Sequence, residues 1–359
     1  MLLRHERQLG YAVAGIQTVL FSVGFVVGSA AYPKLVRHVG RHRTGLAESV
    51  VLSAGVLLFV ADVELVVVSL GSFVAGIGGA GMVTAASATL AGAGSIQGMA
   101  RLSLANAAGS LASMLALLVI GISVAANVGW RLALVAVVPS LIILELWNRS
   151  RGRTAATPPI VEPDGRMPRL YWQSVLGLTL LIAAESCLGL WGPDLIASRT
   201  GAPPAERTAA LALLFGGLAV GRLIAARSLQ VVPVDSLFTA GVVLAIACFL
   251  VLWSSTDPST VLIALFLLGA ALSLNLPFGQ SRAVLVSGGR ADRASAGVFL
   301  SLGLAGLGVP FLLAVLADQV GVHNAFLIVP ALLAGGFVTM RLGRQRAATG
   351  PEPVSCTAR

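Results

Sequence analysis

The sequence predicts an all-α polytopic membrane protein with eleven spans, grouped as one bundle of five helices and one of six. Three observations carry this reading. Hydrophobic residues fill 57% of the 359 positions and charged ones only 11%, against roughly a quarter charged in soluble domains, and mean hydropathy is +0.91. Apolar runs of about 20 residues recur along the chain, each long enough to cross roughly 30 Å of hydrocarbon as a helix. One spacing, 193 residues, relates the two halves.

Breaks at charges, prolines and glycine clusters place the spans at 10–31, 44–61, 65–90, 102–125, 130–146, 170–195, 207–226, 236–254, 259–282, 294–317 and 322–341. The first run is too long for a signal-peptide core and lacks a cleavage site, so it is read as a retained span. Between the first two spans "YPKLVRHVGRHRT", Tyr32 to Thr44, carries Lys34, Arg37, Arg41 and Arg43. Short loops keep Lys and Arg in the cytoplasm. With this loop inside, every basic residue except Arg4, Arg7, Arg131, Arg199 and Arg207 falls inside as well. The expected protein is therefore multi-pass in the cell (inner) membrane, with its C-terminus cytoplasmic and its N-terminus outside. Asn148 to Arg169 holds Pro158, Pro159, Pro163 and Pro168 among arginines and acids, which predicts a linker. The expected domains are a five-span bundle over 1–147, a cytoplasmic linker over 148–169, a six-span bundle over 170–343 and a tail over 344–359.

The formal charge of +9 does not point to nucleic acid, because the arginines sit in short connections between spans. Cys187, Cys248 and Cys356 form no CxxC or metal-ligand spacing, and His5, His38, His42 and His323 are scattered. No metal, cofactor, catalytic residue or enzyme activity is expected.

Gly24-x-x-x-Gly28 recurs as Gly217-x-x-x-Gly221 and Phe73-x-x-Gly76 as Phe266-x-x-Gly269, both at 193 residues; Val128-Gly129 recurs as Val320-Gly321 at 192. On this register the first span matches the seventh. The sixth span, 170–195, has no partner, so the first half is read as lacking its leading helix.

Two like-oriented halves joined by a cytoplasmic linker resemble the major facilitator superfamily. "VRHVGRHR", Val36 to Arg43, looks like a degenerate form of that family's G-x-x-x-D-R-x-G-R-R/K loop, with Gly40 and Arg41 at the best-matching positions. Arg37 stands where the acid is expected and Pro33 where the first glycine is expected. Gly129-Trp130-Arg131 is similar to the "GWR" before the sixth family helix, and Gly221-Arg222-Leu223 to the "GRL" at the eighth. The fifth family helix's "G-P" antiporter pattern is absent at Gly109 to Ser113, "GSLAS", which argues against a proton-driven drug exporter. The resemblance implies a central site that opens alternately to either side, and a first family helix that is missing here.

Such a site needs polar groups that lipid otherwise penalises. Glu185 stands about 15 residues into the sixth span, roughly 22 Å from its cytoplasmic end. An ionised acid at that depth costs about 3 kcal/mol unless it faces a wet cavity or a partner. Gly189 and Gly192 share its helical face, and Trp191 lies near the outer interface. Asn275, beside Pro277 in the ninth span, puts an amide at a helix break with free carbonyls. Asn106, Ser110 and Ser113 share a face of the fourth span and read equally as helix-packing glue. Arg222 reads as a snorkelling or gate-bracing residue near the cytoplasmic end, and Glu48 as a complement to a helix N-terminus and the loop arginines. The expected partners are the lipid bilayer, a small-molecule substrate and protons, with the chain a monomer. The leading function is secondary active transport with proton binding at Glu185. The alternatives are a non-transporting membrane sensor or assembly protein, a truncated inactive transporter and, behind these, an integral membrane enzyme.

Overall fold

Charges, glycines and prolines decide where each helix stops. The computed structural model describes residues 3, 6–7, 11–61, 63–91, 96–125, 129–150, 163, 165–202 and 204–348. Arg4, Val128, most of the expected linker (151–162 and 164) and the tail from 349 onward lie outside the described residues. The first half contains α1 (Tyr11–Val39), α2 (Arg41–Val60), α3 (Leu65–Ala91), α4 (Ile96–Ala125), α5 (Trp130–Val135) and α6 (Val137–Ser150). The second contains α7 (Arg169–Thr200), α8 (Pro204–Ser228), α9 (Val234–Ser254), α10 (Pro258–Leu272), α11 (Asn275–Leu285), α12 (Ala291–Val320), α13 (Val322–Ala325) and α14 (Ile328–Ala348). The protein is a multi-pass membrane protein: ten helical stretches among the described residues are long and apolar enough to cross a bilayer. The expected fourth span, 102–125, lies within α4, some of whose side chains are outside the described residues.

The basic segment after the first span is not a loop. Helix α1 continues through Pro33 to Val39, and Gly40 alone separates it from α2. Arginine and lysine favour helix once apolar length no longer matters, so the cationic residues ride on an extension of the span. Gly40 adopts φ 84°, a conformation that glycine takes without a Cβ penalty.

The repeat is visible at atomic contacts. A Cβ on Gly24 would strike the Phe73 carbonyl, and one on Gly217 the Phe266 carbonyl. Gly28 backs on Ile77 as Gly221 backs on Ala270, and Gly76 meets Phe21 as Gly269 meets Leu214; every pair differs by 193. Gly129 and Gly321, at φ 90° and 83°, precede α5 and α13 in the same way. Helix pairing repeats too: α1 and α2 pack on α3 as α8 and α9 pack on α10. The halves meet where α1 lies on α12 and α4 on α8, two seams that the register exchanges.

Glycine at these crossings lets backbones approach closely. Gly217→Ala is therefore expected to destabilise by about 1–3 kcal/mol through overpacking, seen as a lowered thermal midpoint in detergent. Gly109→Ala should leave the midpoint unchanged, because an added Cβ there meets nothing within 4 Å.

The halves differ in their interiors. Helix α7 buries Tyr171, Val175, Leu178, Leu181, Ala184, Cys187 and Leu188 against α8, α11, α12 and α14. Among the described residues of the first half no helix corresponds to α7, and the buried apolar cluster there contains Leu3, Val68 and Trp130.

Candidate functional site

Four helix segments converge on one guanidinium. Arg222, six residues from the end of α8, is 6% exposed. Its Nη1 donates to the Asn106 carbonyl at 3.0 Å and to the Ser110 hydroxyl, both on α4. Its Nε donates to the Ser273 carbonyl at 3.4 Å. Its Nη2 faces Glu185 Oε1 of α7 at 3.8 Å. In return, Ser103 donates its hydroxyl to the Arg222 carbonyl at 2.9 Å.

The snorkelling expected of Arg222 is overturned by this burial. Helix α7 has 32 residues, about 48 Å against roughly 30 Å of hydrocarbon, so a count from its first turn does not fix the depth of Glu185, whose carboxyl faces Arg222 six residues from the end of α8.

Chain chemistry explains why Ser273 is available. In an unbroken helix its carbonyl would accept from the N–H of residue 277, and Pro277 has none. The helix breaks at Ser273 and Leu274, between α10 and α11. Arg222 therefore takes the carbonyl freed at the break. Asn275, beside it, is 1% exposed and its Nδ2 has no hydrogen-bond partner among the described residues. Asn106 contributes its carbonyl, while its side-chain amide donates back to Leu102 at 2.9 Å.

Space lies along the Glu185 face of α7. A Cβ added at Gly189 or Gly192 would meet nothing within 4 Å, although Gly192 is buried. Trp191 ties α7 to α12, donating from Nε1 to the Pro310 carbonyl at 2.9 Å. Glu185 Oε2 is buried and has no hydrogen-bond partner among the described residues.

A second polar contact joins the halves at their arginine-rich end. Arg41, the first residue of α2, grips both carboxylate oxygens of Asp292 on α12 at 2.7 and 2.8 Å, and reaches Thr89 at 3.1 Å. Gly40 sets its position by turning the chain just before it. Nothing in the sequence ties Arg41 to an acid 251 residues away. Glu48 is not part of this cluster. Because α2 begins at Arg41, Glu48 lies two turns in, beyond the reach of the helix terminus, and its buried carboxyl packs against Gly81 of α3. Its Oε2 has no hydrogen-bond partner among the described residues.

Asp292→Asn should loosen this end, since Arg41 reaches both carboxylate oxygens from Nη2 and charge-assisted hydrogen bonds are about twice as strong as neutral ones. Spin labels at the exposed positions Arg37 and Leu285 should then report a longer-distance population that is absent from the parent protein.

No known protein family matches the sequence, and no curated protein sequence aligns with it significantly. Solved structures do match. The Escherichia coli fucose:proton symporter FucP superposes with TM-score 0.76 at 18% identity, over 95% of this chain and 93% of that one. The proton:xylose symporter XylE gives 0.71 at 13% identity, covering 92% and 86%, and the human organic anion transporter MFSD10 gives 0.68 at 16%, covering 91% and 82%. The chain has the major facilitator fold. The likeness suggested by the Val36 to Arg43 and Gly129 to Arg131 motifs therefore holds at the level of architecture. Within the major facilitator fold these three proteins carry different cargoes, so the fold alone does not choose a substrate.

Proposed function

We propose that this protein is a secondary active transporter, carrying a small solute by alternating access and coupling it to protons through Glu185 and Arg222. The observation that carries the reading is the state of the Glu185 carboxyl: one oxygen faces Arg222 at 3.8 Å, while the other is buried with no hydrogen-bond partner among the described residues, on a helix face with unfilled space at Gly189 and Gly192. A charged Glu185 holds Arg222 and so ties α7 to α8 and α4. A proton on Glu185 cancels that attraction and leaves the guanidinium to the Asn106 and Ser273 carbonyls, which loosens α7 relative to the α4–α8 seam. Because the register exchanges the α4–α8 and α1–α12 seams, rotation about them closes one end as it opens the other, as expected of repeat-built transporters. Arg41 and Asp292 latch the arginine-rich end, which charge placement assigns to the cytoplasm.

The test is accumulation of radiolabelled solutes by proteoliposomes under an imposed pH gradient, screened first by thermal stabilisation. Uptake above equilibrium that collapses with a protonophore supports the proposal. Protein that binds a solute but equilibrates it without regard to the gradient refutes proton coupling. Protein that moves none of the solutes that stabilise it favours the sensor reading.

A further inference from the structure

A guanidinium has five N–H groups, and Arg222 spends three of them on neutral partners: Nε on the Ser273 carbonyl, Nη1 on the Asn106 carbonyl and the Ser110 hydroxyl. Nη2 carries the other two and makes no hydrogen bond among the described residues, since Glu185 Oε1 at 3.8 Å lies beyond hydrogen-bond reach. The guanidinium is therefore oriented without help from the acid, and its Nη2 edge is left unspent toward Glu185. Asn275, two residues past the carbonyl that Nε holds, has a second unspent donor in its buried Nδ2. The acceptors that fix the guanidinium are already in use. Unspent donors beside spent acceptors select a ligand rich in acceptors, and the fixed positive charge selects an anion.

Glu185 decides when that edge is open. Ionised, it balances Arg222 and repels an incoming anion. Protonated, it leaves one uncompensated positive charge inside the membrane and turns its own carboxyl into a donor. Among the described residues Arg222 of α8 is the charged group facing it. Of the other helices packed on α7, α10 has no charged residue, and α11 to α14 carry theirs near span ends: Arg282, Asp292, Arg293, Asp318, His323 and the arginines from 341 on. We infer that the transported solute is a small organic monocarboxylate. One of its oxygens accepts from Arg222 Nη2 and the other from protonated Glu185, so one proton and one anion cross together without net charge. A dicarboxylate would bring a second charge with no partner into the membrane interior. Unfilled space at Gly189 and Gly192, one and two turns further along the Glu185 face, leaves room for the rest of the molecule. The substrate class rests on the transport reading; the anion site itself does not.

Formate and formamide, the smallest carboxylate and its neutral amide, test the site by thermal shift on the purified full chain, with chloride holding ionic strength constant. Formate should raise the midpoint at acid pH and formamide should not. The apparent affinity for formate should fall about tenfold per pH unit once Glu185 is ionised, the linkage of one proton to one anion. In Glu185→Gln, which keeps a donor and carries no charge, formate should stabilise equally at every pH. A second arm takes the solute that proteoliposomes accumulate under a pH gradient. Its uptake should not respond to an inside-negative potential set by potassium and valinomycin, whereas a neutral solute carried with a proton should gain about fiftyfold per 100 mV. Equal stabilisation by formate and formamide, or a formate effect in the parent protein that ignores pH, overturns the proposal and leaves proton-coupled transport of a neutral solute standing. Potential-driven uptake overturns it as well. Formate binding that follows pH, in protein that accumulates no solute, upholds the anion site and refutes the transport reading alone.

Discussion

Glu185→Gln is expected to abolish gradient-driven accumulation while leaving downhill exchange intact. With one proton carried per solute, a gradient of one pH unit supplies about 1.4 kcal/mol and sustains roughly tenfold accumulation. Glutamine keeps the shape and the hydrogen-bonding reach of the side chain but exchanges no proton, so the ratio of inner to outer solute should fall to about one. Arg222 remains held by the Asn106 carbonyl and the Ser110 hydroxyl, so the local packing survives the substitution and a loss cannot be blamed on collapse of the site. Measurement of steady-state solute ratio and of counterflow on the same proteoliposomes separates the two effects. Persistent tenfold accumulation by Glu185→Gln would falsify the assignment of the coupling group.

Arg222→Met should have the largest effect on stability. Removing one member of a buried ion pair strands the other, at a cost of about 3–5 kcal/mol. Here it also leaves the Asn106 and Ser273 carbonyls without their donor. The thermal midpoint of the single variant should therefore drop sharply. Adding Glu185→Gln removes the stranded charge and should recover part of the loss, a non-additivity expected of groups in direct contact. If the double variant is no more stable than Arg222→Met alone, the arginine acts through its carbonyl contacts and not through Glu185, whose 3.8 Å separation from Arg222 is longer than a hydrogen bond.

Much of the architecture was written in residue type. Lipid forces every backbone polar group to be satisfied within a helix, so each span announces itself as an apolar run. Close crossings require glycine, so Gly24, Gly76, Gly217 and Gly269 marked the repeat before any contact was seen. Glu185 was visible as a candidate because an acid in lipid is expensive. The partners of these groups were not visible. Arg222 reads as a residue near a helix end because it lies six residues from the end of α8, whereas the packing of α7 against α8 brings it to Glu185. The basic stretch after the first span reads as a loop because charge density ends the apolar run, yet α1 runs on to Val39. Glu48 was assigned to a helix terminus from a boundary three residues late.

The sequence by itself determined that this chain lives in a bilayer, that it crosses it many times as helices, and that its two halves repeat, because apolar length and glycine placement are local consequences of the solvent and of helix contact. Only the tertiary structure decided that Arg41 would grip Asp292 and that Arg222 would claim the carbonyl freed by Pro277. Those outcomes depend on how far each helix slides and tilts against its neighbours, and that is set by the sum of many packing contacts across the fold.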